Sequence, residues 1–183
     1  MPIEIEKKFR LTTKQRAAVL ARLPKIGAKL KATEFEENTL YGGDQLQLGR
    51  SALRLRRIGK RAILTYKERI PTNSSIKHQR EDETEVGDAD ALQAILQALG
   101  FTPRLVYEKR RMSWRLGKAE IVVDDLPFGL FMEIEADELE IKEIERRLGI
   151  KGLKPEFETY PRLTLTHGIK RGDLVEARFD SKS

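Results

Sequence analysis

At 183 residues the chain is long enough for one domain with a real core. It has no cysteine, which excludes a disulfide framework, a zinc–thiolate centre and a cysteine nucleophile. Charged residues make up 35% of it and the formal net charge is +6, which admits a polyanionic partner without choosing among nucleic acid, a phosphate-rich ligand and a membrane surface.

The first nine residues alternate. Ile3, Ile5 and Phe9 lie on one face of an extended strand, with Lys7 as the exception, and Glu4, Glu6 and Lys8 lie on the other. Thr12 or Thr13 is placed to cap a helix over 14–23, which Pro24 and Gly27 end. The basic residues on and after that helix (Lys14, Arg16, Arg22, Lys25) read as a solvated face. No aromatic side chains are interleaved there to stack bases, so no nucleic-acid partner is expected.

Residues 29–41 form an extended segment, and 42–51 a polar loop. Leu53-Arg54-Leu55-Arg56 alternates strictly, turns at Gly59-Lys60 and returns from Ala62 to Lys67 as a hairpin. A loop over 70–77 follows. Residues 80–86, as a strand, put Glu81, Glu83 and Glu85 on one side. Asp88 caps an amphipathic helix through Leu92, Ile95, Leu96 and Leu99, closed by Gly100. A long strand over 102–116 carries Lys109 and Arg111 on one face and Trp114 on the other. Ile121 to Asp124 comes back, and 130–136 sets Glu133 and Glu135 opposite Met132 and Ile134. A charged helix over 137–148 is capped by Gly149, a short helix over 158–167 packs Tyr160, Leu163 and Leu165, and the tail from Gly168 is polar and expected to be loose. One domain over 1–167 followed by a tail over 168–183 is the expected division.

The pattern of the first strand therefore recurs. Charged residues line one face of strand after strand, and Ile, Leu, Val, Met and Trp line the other. If the sheet stays open, the charged face is solvent and the domain is an ordinary α+β fold. If it closes, the charges line a water-filled interior. Several strands are segregated by sign, Arg54 with Arg56 and Glu133 with Glu135, which favours closure round a ligand. Guanidinium forks suit phosphate oxygens. Clustered carboxylates without histidine or cysteine suit hard divalent cations, Mg²⁺ or Mn²⁺. Together they are what a metal-bound polyphosphate requires.

Glu4-x-Glu6-x-Lys8 resembles the signature of the CYTH superfamily, the triphosphate tunnel metalloenzymes. The resemblance runs over about residues 2–165, through Leu53-Arg54-Leu55-Arg56, Thr65-Tyr66-Lys67, the Glu81–Glu85 strand, Lys109-Arg110-Arg111 and the stretch from Asp124 to Glu135. It implies an α+β fold, a closed eight-stranded antiparallel β-barrel forming a tunnel, with helices packed outside. It further implies that Arg54, Arg56, Lys67, Lys109 and Arg111 bind a small triphosphate and that Lys8 is a phosphate ligand or an orienting base. Glu4, Glu6, Glu81, Glu83, Glu133 and Glu135 would hold Mg²⁺ or Mn²⁺, and Asp124 would be a metal ligand near the scissile end. Lys8 and Asp124 are the catalytic candidates. Glu85 matches least.

The activity this implies is metal-dependent hydrolysis of tripolyphosphate, thiamine triphosphate or a nucleoside triphosphate. One alternative is a class IV adenylate cyclase. That branch often carries a His-Phe pair before the opening strand, and Met1-Pro2 is no such pair. Another is a binding module without turnover, against which the full acidic set argues. A monomer or homodimer is expected. No apolar run reaches transmembrane length and the N-terminus lacks a signal-peptide core, so the expected location is cytoplasmic and no membrane partner is expected. Tyr41 and Tyr66 can pack or touch substrate. Trp114 is expected in the core, and His78 and His167 at the surface or in packing.

Overall fold

Eight strands form a ring. The computed structural model describes residues 3–46, 50–70 and 77–180, except for the side chains of Ile3, Glu4, Lys77 and His78. The expected loops over 42–51 and 70–77 thus lie partly outside the described residues. In chain order the ring strands are β1 (Ile3–Leu11), β2 (Lys29–Gly42), β3 (Ser51–Ile58), β4 (Arg61–Ile70), β5 (Lys77–Val86), β6 (Thr102–Leu116), β7 (Ala119–Leu126) and β8 (Gly129–Glu135). The sheet order β2-β3-β4-β5-β1-β8-β7-β6 returns on itself through a β2–β6 pairing. Every ring pairing is antiparallel. Closure is uneven. β2 and β6 pair along their whole length, from Lys29–Arg115 to Gly42–Thr102. β1 and β5 pair only from Ile3–Arg80 to Glu6–Lys77 among the described residues, so the barrel is partly closed at that seam.

The alternation seen in the sequence decides which face turns outward. Phe9, Trp114, Ile121, Val123, Met132 and Ile134 point out of the barrel and are buried under α1 (Thr13–Arg22) and α3 (Glu138–Leu148). Tyr41, Leu53, Leu55 and Ala62 do the same under α2 (Ala89–Ala98), with Tyr66 packed against them. The choice left open for Tyr41 and Tyr66 is settled as packing. Each fully buried aliphatic side chain contributes roughly 1.5–3 kcal/mol, so two helix-covered clusters hold an interior that is itself too polar to cohere. Lys7, the exception on the apolar face of β1, is matched by Glu145 of α3 at 2.7 Å, both side chains nearly buried.

The helix ends follow local chemistry. Thr12 and Gln15 form a reciprocal capping box on α1, and Asp88 and Asp137 accept backbone N–H groups at the starts of α2 and α3. Gly149 closes α3 at φ 65°. A Cβ there would be strained and would collide with the Arg22 guanidinium, which donates to the Leu148 carbonyl at 2.5 Å.

The C-terminal part departs from expectation. α4 (Tyr160–His167) is followed by a hairpin, β9 (Ile169–Arg171) with β10 (Leu174–Ala177), and β10 adds parallel to β6. Arg178 then pairs with Glu37 of β2 at 2.5 Å and Glu108 of β6 at 3.0 Å. The segment expected to be loose is thus tied across the β2–β6 seam. Its polar side chains hid this, because most of its order comes from backbone pairing and ion pairs rather than from burial.

Candidate functional site

The inward faces carry the charges. From β1 come Glu6 and Lys8, from β3 Arg54 and Arg56, from β4 Thr65 and Lys67, from β5 Glu81 and Glu83, from β6 Lys109 and Arg111, from β7 Asp124, and from β8 Glu133 and Glu135. The side chain of Glu4 lies outside the described residues.

One wall is organised by Arg111. Its guanidinium donates to both oxygens of Asp124, at 2.7 and 2.6 Å, and to Glu133 at 3.0 Å. Glu133 also meets Lys8 at 3.3 Å. Lys8 is 3% exposed, donates to the Glu158 carbonyl at 3.2 Å and lies 4.0 Å from the Tyr160 ring centroid. Burial opposes its charge, but Glu133 and Glu6 outweigh burial and raise its pKa above the ordinary value. Asp124 is fully buried and accepts a third hydrogen bond, from the Tyr160 hydroxyl at 2.8 Å. Its oxygens are therefore engaged by donors, and a metal would have to displace one of them.

The facing wall is made by β3, β4 and β5. Thr65 donates to Glu83 at 2.9 Å and accepts from Arg54 at 3.3 Å. Glu81 pairs with Lys67 and lies 3.9 Å from Arg54. The buried Nε of Arg54 has no hydrogen-bond acceptor among the described residues, and the buried Nε of Arg56 faces Glu36 Oε2 at 3.4 Å without hydrogen-bond geometry. Such donors are costly to bury unless an anion completes them. The expected acids are thus not one cluster. Glu81 and Glu83 stand with Lys67 and Arg54, while Glu6, Glu133 and Glu135 line a small cavity of about 30 Å³ with Arg111 and Glu120. Glu85 is exposed and pairs with Arg61 at 3.3 Å.

Three residues at the site escaped sequence reasoning. Glu36 of β2 is 1% exposed and lies 2.9 Å from Lys109, 3.4 Å from Arg56 and 3.8 Å from Arg111. Burial disfavours its carboxylate, yet Lys109, Arg111 and Arg56 together hold its carboxyl well below the usual range. Lys109, also 1% exposed, is pushed down to about 8 by burial and by Arg111, against the pull of Asp124 and Glu36. Both are charged at neutral pH. Glu120 stands in a run otherwise read as apolar, and Tyr160 was assigned to packing alone. Only the parity of β2 offered a signal, since Glu34 and Glu36 alternate with Phe35 in the same period as the recognised strands.

A depressed carboxyl pKa stabilises the fold above its ordinary value of 4.5, and that contribution is lost as pH falls from there toward the folded-state value. In urea melts, the stability difference between the wild type and Glu36→Gln should therefore shrink steadily from pH 5 to pH 3. A difference constant over that range would show that Glu36 is not held ionised by its neighbours.

Among the described residues, no three acidic or histidine side chains are gathered tightly enough to hold a metal as they stand. The donor set nevertheless suits a hard cation. Glu6, Glu133 and Glu135 offer carboxylate oxygens to one cavity, with no sulfur or imidazole beside them.

The far end of the barrel carries an apolar layer. Beyond Glu36, Lys109, Asp124 and Glu133 the inward positions become Leu40, Tyr107, Leu126 and Phe131. These pack on Tyr160 and Leu163 of α4. The charged interior thus meets an apolar layer, with Arg54 opposite Leu40 where the two join.

This arrangement has a counterpart among known proteins. Residues 2–156 match the CYTH domain. The chain belongs to the CYTH family. Of the solved CYTH-like folds, a Pyrococcus horikoshii protein superposes with a TM-score of 0.74 at 28% identity, covering 86% of this chain and 96% of its own. A conserved hypothetical protein from Pyrococcus furiosus gives 0.73 at 25%, covering 86% and 97%. A Hippeastrum protein, described as an adenylyl cyclase candidate with a dominant triphosphatase activity, gives 0.65 at 20%, covering 88% and 94%, and shares the fold. No curated protein matches the sequence significantly. CYTH proteins are often triphosphatases or cyclases, bind small triphosphates and generally depend on a divalent metal. No helix among the described residues of this CYTH chain is long and apolar enough to cross a membrane.

Proposed function

We propose that this CYTH protein is a divalent-metal-dependent triphosphatase, hydrolysing a phosphoanhydride bond of a short triphosphate held in the barrel. The observation that carries the reading is that one barrel interior holds the buried Arg54 Nε, without a hydrogen-bond acceptor among the described residues, and a cavity where Arg111 stands among the carboxylates Glu6, Glu133 and Glu135. Cations alone would serve a binder. Carboxylates facing the same space are repelled by a phosphate chain unless a metal lies between them.

The side chains divide the work. Arg54, Arg56 and Lys67 receive non-bridging oxygens on one wall, and Arg111 and Lys8 on the other. Glu81 and Glu83 hold Lys67 and Arg54 in place. Asp124 fixes the Arg111 fork in its plane and so orients it. Lys8, kept protonated by Glu133, neutralises charge as it grows on the leaving phosphate. Glu6, Glu133 and Glu135 would hold Mg²⁺ or Mn²⁺, which when bound supplies Lewis-acid polarisation and lowers the pKa of bound water. The interior is built against the apolar layer of Leu40, Leu126, Phe131 and Tyr160, which keeps bulk water from its far end.

The test is phosphate release from tripolyphosphate, thiamine triphosphate and ATP with Mg²⁺ or Mn²⁺, beside an assay for cyclic AMP. Inorganic phosphate from at least one of the panel, with no cyclic AMP, is the expected result. Cyclic AMP from ATP would move the protein to the cyclases. Tight tripolyphosphate binding with no turnover would make it a binding module. The same ligand with Mg²⁺ should also raise Tm; at 100 times its Kd the gain is about 2.7 kcal/mol.

A further inference from the structure

We propose that Tyr160 is a positioning residue for the triphosphate reaction: its ring seats the Lys8 ammonium and its hydroxyl fixes Asp124, so that the segment over 155–160 forms part of the site. The proposal rests on the triphosphate reading above.

The observations begin at the seam between β1 and β5. Among the described residues β5 pairs with β1 only as far as Glu6. Further along, that edge of β1 is taken by the chain that follows α3. Phe9 bridges antiparallel to Pro155, and the Glu156 N–H donates to the Lys8 carbonyl at 2.8 Å. The Lys8 side chain meets the same segment. Its ammonium donates to the Glu158 carbonyl at 3.2 Å, lies 3.3 Å from Glu133 and stands 4.0 Å from the Tyr160 ring centroid. The two oxygens take two of its three protons. The ring supplies a negative face without tying the third to a lone pair, so that proton can turn to a phosphate oxygen.

The hydroxyl end of Tyr160 acts on other cations. It donates to Asp124 Oδ2 at 2.8 Å, the oxygen that Arg111 Nη2 also uses at 2.6 Å. Lys109 lies 3.8 Å from that oxygen. Without the hydroxyl, Lys109 is drawn to the vacated lone pair and away from substrate. One buried aromatic side chain thus sets Lys8 through its face, and Arg111 and Lys109 through Asp124. The ring is itself held, edge-on to Phe131 with the centroids 5.4 Å apart. Glu158 and Tyr160 both lie past residue 156, where the CYTH match ends. Two of the three neighbours of the ammonium therefore come from outside the matched segment.

The two ends of the side chain predict different kinetics. Lys8 acts on charge that grows in the transition state, so loss of its seat lowers kcat. Arg111 and Lys109 grip the phosphates already in the ground state, so loss of the hydroxyl raises KM. The experiment measures kcat and KM for a triphosphate that is hydrolysed, and the calorimetric affinity of tripolyphosphate without metal. The proteins compared are the wild type, Tyr160→Phe, Tyr160→Leu, Lys8→Met and the double variant Lys8→Met with Tyr160→Leu. Tyr160→Phe keeps the face, and should weaken tripolyphosphate about fivefold with kcat within about twofold of wild type. Tyr160→Leu should in addition lower kcat about tenfold. In the Lys8→Met protein that second loss should vanish, because the ring has no ammonium to seat. An equal loss of kcat with and without Lys8, or variants that lose only Tm, would show that Tyr160 merely fills space and overturns the assignment. If tripolyphosphate binds but nothing is hydrolysed, the coupling is read from affinities. Tyr160→Leu should then weaken binding more with Lys8 than without it, and equal weakening overturns the assignment. If Tyr160→Leu does not fold, a Tyr160→Phe affinity within about twofold of wild type overturns it alone. Failure of the wild type to bind tripolyphosphate overturns both the assignment and the triphosphate reading.

Discussion

Arg111→Ala should be the most damaging single substitution in the barrel. Thermal and urea unfolding should show a loss of about 3–5 kcal/mol, the range expected when one member of a buried ion-pair network is removed. The geometry explains the size. Asp124 would keep only the Tyr160 hydroxyl and a Lys109 ammonium 3.8 Å away, having lost two hydrogen bonds of 2.7 and 2.6 Å. Glu133 would lose its 3.0 Å partner and keep Lys8. Negative charge would then outweigh positive charge on a wall that water reaches poorly. For a domain of this size each kcal/mol is roughly 2–4 °C of Tm, so the melting temperature should fall by about 6–20 °C. Low pH should partly rescue the variant, because protonating Asp124 or Glu133 removes the uncompensated charge. A variant as stable as the wild type would mean that the Arg111 network contributes no net stability, as isosteric replacement of buried ion pairs sometimes shows.

The same network marks how far the sequence could be read. Alternation of charged and apolar residues was enough to give the strands, and the repeated sign segregation was enough to favour a closed barrel. The register, however, is set by partners far apart in the chain. Nothing local says that Arg111 sits beside Asp124 or that Lys8 meets Glu133. Those pairs come from the β6–β7 and β1–β8 ladders, in which Arg111 is opposite Asp124 and Lys8 opposite Glu133. Which acids stand together is set in the same way. Glu81 and Glu83 lie on β5, which pairs with β4, and so stand with Lys67 and Thr65 rather than with Glu133.

Glu36 was missed on different grounds. The segment around it, Thr33-Glu34-Phe35-Glu36-Glu37-Asn38, does alternate, but Glu37 breaks the apolar face and makes the stretch look like a plain exposed strand. Glu37 is in fact matched from outside by Arg178, which lies in the segment read as loose. Two errors of reading therefore share one cause. An outward acid looked unpaired because its partner is far along the chain, in a tail whose composition suggested no structure. The α4 residue Tyr160 hid its second role in a similar way. Its ring packs among Tyr107, Phe131 and Leu163 as an aromatic in a core should, and only its hydroxyl reaches Asp124.

Glu133→Gln should abolish most metal-dependent turnover while leaving the protein folded. Glutamine preserves the shape and one carbonyl acceptor, so one of the Arg111 and Lys8 contacts, which use different oxygens of Glu133, can persist while the amide N–H group faces the other, and Tm should shift less than for Arg111→Ala. The charge is what matters to a divalent cation. Loss of hydrogen-bonding partners behind a metal ligand typically costs 10–100-fold in affinity or activity, so loss of a ligand's own charge should lower kcat/KM by at least about 100-fold. The concentration of Mg²⁺ or Mn²⁺ giving half-maximal rate should rise in parallel. Binding of tripolyphosphate without metal should hold or strengthen, because one repelling carboxylate has gone from the cavity shared by Glu6, Glu135 and Arg111. This opposite movement of metal and anion affinity separates a metal-holding carboxylate from a scaffold residue. A scaffold role would weaken both together, or neither. Glu6→Gln should repeat the pattern with a smaller effect on stability, since neither Arg111 nor Lys8 has its short ion pair to Glu6. If both variants kept full turnover at wild-type metal concentrations, the metal would have to be held by other side chains of the barrel.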